Sequence, residues 1–180
     1  KGVHQNVERT NIGMIHFSSL TEVARSIESL ELSPVELTQL ILDRISTLDG
    51  TLNSYATVMA DRAMVSASTA EEEIRAGRYR GPLHGVPIAV KDLCFTRGVR
   101  TMGGLRALAD FVPEFDATVV SRLEEAGAVI LGKLNLTEGA MAGYHRDFSI
   151  PVNPWDAEWW PGASSSGSGV ATAAGLCFAS

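Results

Sequence analysis

Apolar residues recur at helical spacing in the first third of the chain. Ser19 to Glu22 and Ser33 to Glu36 each match a capping box, and the second has proline at the first helical position. We therefore predict two amphipathic N-terminal helices, one running to about Leu30 and the other to about Leu48, where Asp49-Gly50 stops it. The predicted inward faces carry Val23, Ile27 and Leu30 in the first helix, and Leu37, Leu40, Ile41 and Ile45 in the second.

Two later stretches also have helical features. Residues 57–77 are rich in alanine and predict a third helix, whose charged run at 71–73 is typical of a solvated face. Asp116 stands where it would cap a helix that runs through Glu125 and ends at Gly127. Helices therefore occur on both sides of residue 100.

Two short apolar runs rich in β-branched residues, 86–90 and 128–131, predict buried strands. Their alternation with helices indicates an α/β fold built of layers. Residues 170–178 are apolar and predict a buried helix. That helix follows a loop rich in glycine and serine, residues 161–169.

The composition is that of an ordinary globular domain: 180 residues, 45% hydrophobic and 20% charged. A formal net charge of −6 leaves no basic stripe, which argues against nucleic acid or an anionic membrane as a partner. The longest apolar run, residues 170–179, is too short to span a bilayer. Residues 1–14 lack the pattern of a secretory signal, so we expect a cytoplasmic location.

Cysteines and short motifs give no sign of a metal or cofactor. Cys94 and Cys177 are far apart in apolar surroundings, which favours free thiols over a disulfide or a metal site. The sequence contains no HExxH, CxxC or GxxxxGK pattern. We therefore predict neither a metal nor a cofactor.

The loop at 161–169 and the lysine that follows the first strand are the candidate chemistry. Unpaired N–H groups at the start of the helix after the loop would favour developing negative charge, which makes the loop a candidate site of catalysis or ligand binding. The alternative is a loop with a purely structural role. Lys91 directly follows the predicted strand at 86–90. Burial lowers the pKa of a lysine, and a neutral amine can act as a general base. The alternative is that Lys91 reaches solvent or pairs with Asp92.

The histidines give weaker signals. We interpret His84, which precedes a glycine, as a structural hydrogen-bonding residue. The polar cluster at 144–147, which includes His145, is compatible with a substrate pocket and with purely local contacts. Neither is assigned as a base.

Four segments in order, residues 81–92, 132–138, 153–156 and 162–167, resemble the amidase signature family, serine hydrolases that cleave amide bonds. The resemblance covers about 17–180. It implies the N-terminal portion of an α/β/α sandwich around a mixed β-sheet. On this view residues 1–16 are an N-terminal extension, and 17–180 form an incomplete domain truncated before the turn that carries the nucleophile.

The family's triad of serine, cis-serine and lysine implies roles for particular residues. Lys91 matches the lysine base, and Ser164 matches the bridging serine, whose peptide bond to the preceding residue, here Ala163, is cis in the family. Ser165 would support the network by hydrogen bonding. The attacking serine lies roughly two dozen residues beyond the bridging one, so neither Ser168 nor Ser180 is assigned as nucleophile. We expect the 180-residue chain to be inactive by itself.

The chain departs from the family pattern in places. Ser166 and Ala163 replace commoner glycines, and Gly104 falls where many members have a serine. Trp159-Trp160 replaces a dipeptide common in the glutaminase component of the transamidosome. Ala140 and Met141 lie in the segment that approaches the acyl side of the substrate in relatives, where an apolar wall would suit an uncharged acyl or aryl group; core packing is the alternative.

The resemblance implies an amide-bond hydrolase that releases carboxylate and an amine or ammonia through an acyl-enzyme. The alternative is the glutaminase subunit of a tRNA-dependent amidotransferase. A third hypothesis is a binding or scaffold protein that has kept the fold without catalysis. We expect a small-molecule amide as the partner, and the N-terminal helices offer a surface for a homodimer.

Overall fold

The structure is a computed structural model that describes residues 12–141 and 143–180. Its centre is a three-stranded sheet of β1 (Tyr55–Val58), β2 (Pro87–Lys91) and β3 (Val129–Leu134) in the order β1-β3-β2. Strand β3 is antiparallel to β1 and parallel to β2. The predicted α/β class and the mixed sheet are therefore confirmed.

Within the described residues, five α-helices surround the sheet. They are α1 (Leu20–Glu28), α2 (Pro34–Leu52), α3 (Ala60–Arg75), α4 (Thr118–Glu125) and α5 (Ser166–Ala173). No helix in the described part of the chain combines the length and the apolar character needed to cross a membrane. Most of the predicted extension, residues 1–11, lies outside the described residues. Its last residues belong to a 3-10 helix, Ile12–Phe17, whose Ile15 is buried in the core.

Alternate residues of the strands fill two cores on opposite faces of the sheet. One core takes Ala89 and Leu131 and packs against α2 and α3. The other takes Ile88 and Ile130 and packs against α1. This alternation follows from the two-residue period of a strand, and it explains why both runs are apolar throughout.

The two predicted capping boxes differ in the structure. At α1 the box is complete, because the Glu22 amide donates to Ser19 Oγ at 3.3 Å and the Ser19 amide donates to the Glu22 carboxylate at 2.8 Å. At α2 the Glu36 amide donates to Ser33 Oγ at 3.1 Å, but within the described residues the Ser33 amide makes no return bond to the Glu36 carboxylate, and the Ser33 hydroxyl donates to Glu71. The second box is therefore only half formed.

The predicted ends of α1 and α2 were wrong. Leu30 lies beyond α1, is 59% exposed and has φ 61°, so it does not belong to the inward face. Helix α2 continues through Asp49-Gly50 to Leu52, and Asn53, which follows it, is left-handed with φ 52°. The Asp49 carboxylate accepts the Ser54 amide at 2.7 Å and so fixes the turn after the helix.

The prediction of a helix from residue 57 was also wrong at its start. Residues Tyr55–Val58 form β1, and α3 begins only at Ala60. Thr57 and Val58 are β-branched, and they pair with β3 on the side opposite β2. The charged run at 71–73 is not simply solvated, since Glu71 accepts from Ser33 and Glu73 pairs with Arg80 at 2.7 Å.

Asp116 does not cap α4. Ala117 occupies the capping position without a side-chain bond, while Asp116 Oδ1 accepts the Arg97 amide at 2.7 Å. The carboxylate therefore holds the preceding loop, and only the predicted end of the helix, at Glu125, is correct.

Helix α5 begins earlier and ends earlier than the apolar run indicated. It starts at Ser166, inside the serine-rich loop, and ends at Ala173, shortly before Gly175 with φ 66°. The chain then runs beside β2: the Phe178 amide donates to Pro87 O at 3.0 Å, and the Ala89 amide donates to Ala179 O at 3.1 Å. Backbone pairing with β2 thus replaces the last turns of the predicted helix.

Candidate active site

Lys91 and Ser164 meet in the structure although 73 residues separate them. Lys91 is the half-buried last residue of β2, and its Nζ donates a hydrogen bond to Ser164 Oγ at 2.7 Å. Ser164 lies in the turn just before α5, and the Ala163–Ser164 peptide bond is cis. The amine therefore contacts the hydroxyl at the start of a helix.

The backbone around Ser164 is held by the loop that follows β3. The Thr137 amide donates to Ser164 O at 3.2 Å, and the Gly167 amide donates to Asn135 O at 2.9 Å. A Cβ on Gly167 would lie 2.5 Å from Ser54 O and 2.6 Å from Asn135 O. Only glycine allows this approach, so Gly167 fixes how closely α5 docks onto the sheet.

A cavity of about 420 Å³ opens beside the lysine. Its polar lining comes from Lys91, Cys94, Ser165, Ser168 and the terminal Ser180, and the remaining lining is apolar. The Ser165 hydroxyl makes no hydrogen bond to any described residue and is exposed. The space is large enough for a small organic molecule.

Ala140 and Met141 are not among the residues that line this cavity. Met141 is 73% exposed, which is incompatible with core packing. Ala140 is half-buried with φ 59°, and the Met141 carbonyl accepts a hydrogen bond from Thr137 Oγ1. Both residues thus lie on the turn that begins at Thr137, whose amide donates to Ser164 O.

Sequence reasoning missed the buried ion pair beside Lys91. Asp92 pairs with Lys133 rather than with Lys91: Lys133 Nζ lies 3.4 Å from Asp92 Oδ1 and donates to Thr101 Oγ1 at 2.7 Å. Burial raises the pKa of Asp92 and lowers the pKa of Lys133. The available signal was a lysine within an otherwise apolar strand, β3.

The remaining polar candidates make structural contacts. His84 is buried, its Nδ1 accepts the Arg80 amide at 3.1 Å, and burial lowers its pKa. His145 Nδ1 accepts the Asp147 amide at 3.2 Å, a local contact.

Burial raises the pKa of the Cys177 thiol to about 11. In residues 12–141 and 143–180 no group of three His, Cys, Asp or Glu side chains could hold a metal ion.

The structure gives a reason why Gly104 is not a serine. Gly104 has φ 68°, and a Cβ there would lie 2.9 Å from Thr137 O and 3.1 Å from Leu136 O. The loop after β3 therefore approaches too closely for any side chain. A supporting hydrogen bond from this position is not available to the chain.

Replacing Gly104 with alanine is expected to destabilise the protein more than replacing Gly98. Both have positive φ, 68° and 72°, so both changes carry a similar conformational penalty of about 1 kcal/mol. A Cβ on Gly98 meets no atom within 4 Å, whereas one on Gly104 meets backbone. Denaturant unfolding should show an additional loss of roughly 1–3 kcal/mol for Gly104→Ala. Equal losses in the two variants would contradict the close approach.

The sequence and the fold match those of known amidases. The family model Amidase matches residues 36–180. A putative amidase, AmiD, of Mycobacterium tuberculosis (strain ATCC 25618 / H37Rv) is 55% identical over 161 residues, which are 89% of this chain and 34% of that protein. A glutamyl-tRNA(Gln) amidotransferase subunit of Geobacter sulfurreducens is 46% identical over 158 residues, 87% of this chain and 32% of that protein.

Among solved structures, the native peptide amidase of Stenotrophomonas maltophilia superposes with a TM-score of 0.84 at 37% identity, over 91% of this chain and 35% of that one. Fold and sequence together define an α/β protein of amidase type. The chain belongs to the Amidase family, as the four ordered segments predicted, and it spans about a third of the length of the curated relatives it matches.

Proposed function

We propose that the protein containing this chain hydrolyses carboxamide bonds through an acyl-enzyme, with Lys91 as the base and Ser164 as the bridging serine. The observation that carries the proposal is the 2.7 Å hydrogen bond between Lys91 Nζ and Ser164 Oγ. An amine and a hydroxyl in contact, beside a cavity with space for an organic molecule, are the parts of a proton relay.

The proposed relay moves one proton through two hydroxyl groups. Lys91 Nζ takes the proton of Ser164, whose oxygen takes the proton of the attacking serine as that serine adds to the amide carbonyl. Ser164 then gives a proton to the leaving nitrogen and regains one from Lys91, and the C–N bond breaks. The product is an acyl-enzyme, which water hydrolyses to the carboxylate. No histidine is needed.

The attacking serine is proposed to lie outside these 180 residues. Ser165 and Ser168 line the cavity, but no serine within the described residues donates a hydrogen bond to Ser164 Oγ. The relay as described thus has a base and a bridge without a nucleophile. Ser165 is proposed as a supporting hydroxyl, because it is exposed at the cavity close to Ser164.

The substrate is proposed to be a small uncharged amide. Side chains from β2 and α4 supply most of the apolar residues in the cavity wall, and Lys91 is the only charged side chain that the described residues contribute to it. Ala140 and Met141 do not line this cavity, but they lie on the turn that contacts Ser164 and are proposed to approach the acyl group from that side. An apolar wall favours acyl or aryl groups without charge.

The second candidate is the glutaminase subunit of a tRNA-dependent amidotransferase. It is favoured by the identity to the amidotransferase protein of Geobacter sulfurreducens. It would use the same relay to release ammonia from glutamine for a partner enzyme. The exposed tryptophans Trp159 and Trp160, which replace the dipeptide common in such glutaminases, argue for the first candidate.

The two candidates are separated by expressing the full-length protein alone and measuring amine or ammonia release from simple carboxamides and anilides. We expect turnover without any added protein. Activity only on glutamine, and only with the other amidotransferase subunits present, would favour the second candidate instead.

The 180-residue chain alone is expected to show no turnover of the amides that the full-length protein cleaves, because it supplies only two members of the relay. The assay should include a circular dichroism spectrum to establish that the chain is folded. Robust hydrolysis by the folded chain would contradict the proposal that the nucleophile lies elsewhere.

A further inference from the structure

The Asp92–Lys133 pair is almost completely buried. The side chains are 1% and 0% exposed, and burial disfavours the charged form of each. Removing two charges from water offsets most of their attraction, so a buried ion pair is a weak stabiliser. Asp92 directly follows Lys91 in the chain, which suggests that the pair has another role.

Asp92 is fixed by bonds in several directions. Its amide donates to Leu134 O at 2.9 Å, and its carbonyl accepts the Gly103 amide at 2.9 Å. Its carboxylate accepts the Met102 amide at 2.9 Å and faces Lys133. The Lys91 side chain, by contrast, bonds only to Ser164 within the described residues. The position of the Lys91 amine therefore depends on the backbone that Asp92 holds.

The loop held by Asp92 also reaches Ser164. Gly103 O accepts the Gly139 amide at 2.9 Å, and Gly139 lies in the turn that begins at Thr137. The Thr137 amide in turn donates to Ser164 O at 3.2 Å. Asp92 thus holds Met102 through its carboxylate and Gly103 through its backbone carbonyl, and this loop connects the backbone of the base to the backbone of the bridging serine.

We propose that Asp92, with Lys133 as its buried counterion, is a positioning residue that holds Lys91 at hydrogen-bonding distance from Ser164. This inference rests on the proposed function. The Asp92 carboxylate accepts the Met102 amide and faces Lys133, whose side chain is held in turn by its hydrogen bond to Thr101 Oγ1. Neither Asp92 nor Lys133 transfers a proton to the substrate.

The test uses the full-length protein with the variants Asp92→Asn and Lys133→Met. Loosening the contact between base and bridge should lower kcat by about 10- to 100-fold and leave KM within about threefold. If Lys133→Met does not fold, Lys133→Gln removes the same charge and keeps a donor for Thr101. A change in KM alone, or an unchanged kcat in folded variants, would overturn the inference.

A double-mutant cycle separates positioning from a general structural effect. In a Lys91→Ala background, with a p-nitrophenyl ester as a reactive substrate, Asp92→Asn should change the residual rate by less than about twofold, because the base it positions is gone. If Asp92→Asn lowers the rate by the same factor in both backgrounds, Asp92 acts on the fold and not through Lys91.

The matched control is Glu73→Gln. Glu73 lies on α3, and the change removes the carboxylate that pairs with Arg80. Its kcat should stay within about twofold of wild type. If the wild-type protein fails to hydrolyse amides, or if Lys91→Ala is as active as wild type, the proposed function is wrong. If Lys91 is essential and only the cycle fails, the positioning role alone is wrong.

Discussion

Replacing Lys91 with alanine is expected to lower kcat for amide hydrolysis by the full-length protein by at least about 10³-fold. Lys91 Nζ is the only group among the described residues that bonds to Ser164 Oγ, so its removal leaves the hydroxyl without its proposed base. Lys91→Arg is expected to fail as well, because a guanidinium does not deprotonate near neutral pH. Single-turnover measurement of product release tests both variants.

A cation elsewhere serves as the control for Lys91. Arg62 pairs with Glu124 at 2.6 Å at a partly exposed site, and Arg62→Ala should keep kcat within about twofold. Wild-type turnover by Lys91→Arg would show that Lys91 contributes charge or shape and does not accept a proton.

Replacing Ser164 with alanine is expected to lower the rate of acylation by several orders of magnitude. The change removes the hydroxyl that bonds to Lys91 and that is proposed to link it to the nucleophile. It leaves the Ser164 carbonyl, which accepts the Thr137 amide, in place, so the melting temperature should change little. Burst kinetics with a chromogenic anilide, together with thermal unfolding, would measure both effects.

Ser166→Ala is the matched control for Ser164, since it makes the same change two residues away. The Ser166 hydroxyl is buried and has no hydrogen-bond partner among the described residues. Its removal therefore loses no bond, and the rate should stay within about twofold of wild type. A loss of less than about tenfold in Ser164→Ala, equivalent to about 1.4 kcal/mol, would show that Ser164 is not a relay.

Local patterns predicted those elements whose determinants lie within a few residues. The capping box at Ser19 and the apolar runs of β2 and β3 are of this kind. The failures occurred where a distant partner decides the local structure. Residues Tyr55–Val58 form a strand because they pair with β3. Asp116 does not cap α4 because its carboxylate accepts the Arg97 amide.

The sequence by itself made Lys91 and Ser164 candidate site residues, because both lie in segments whose residue types and order resemble one family. It could not identify the partner of Asp92, since Lys91 is adjacent along the chain and Lys133 is 41 residues away. The parallel register of β2 and β3 decided this point. It places Lys133 opposite Val90 and Leu134 opposite Lys91, so the ammonium of Lys133 reaches Asp92 while Lys91 remains available to Ser164.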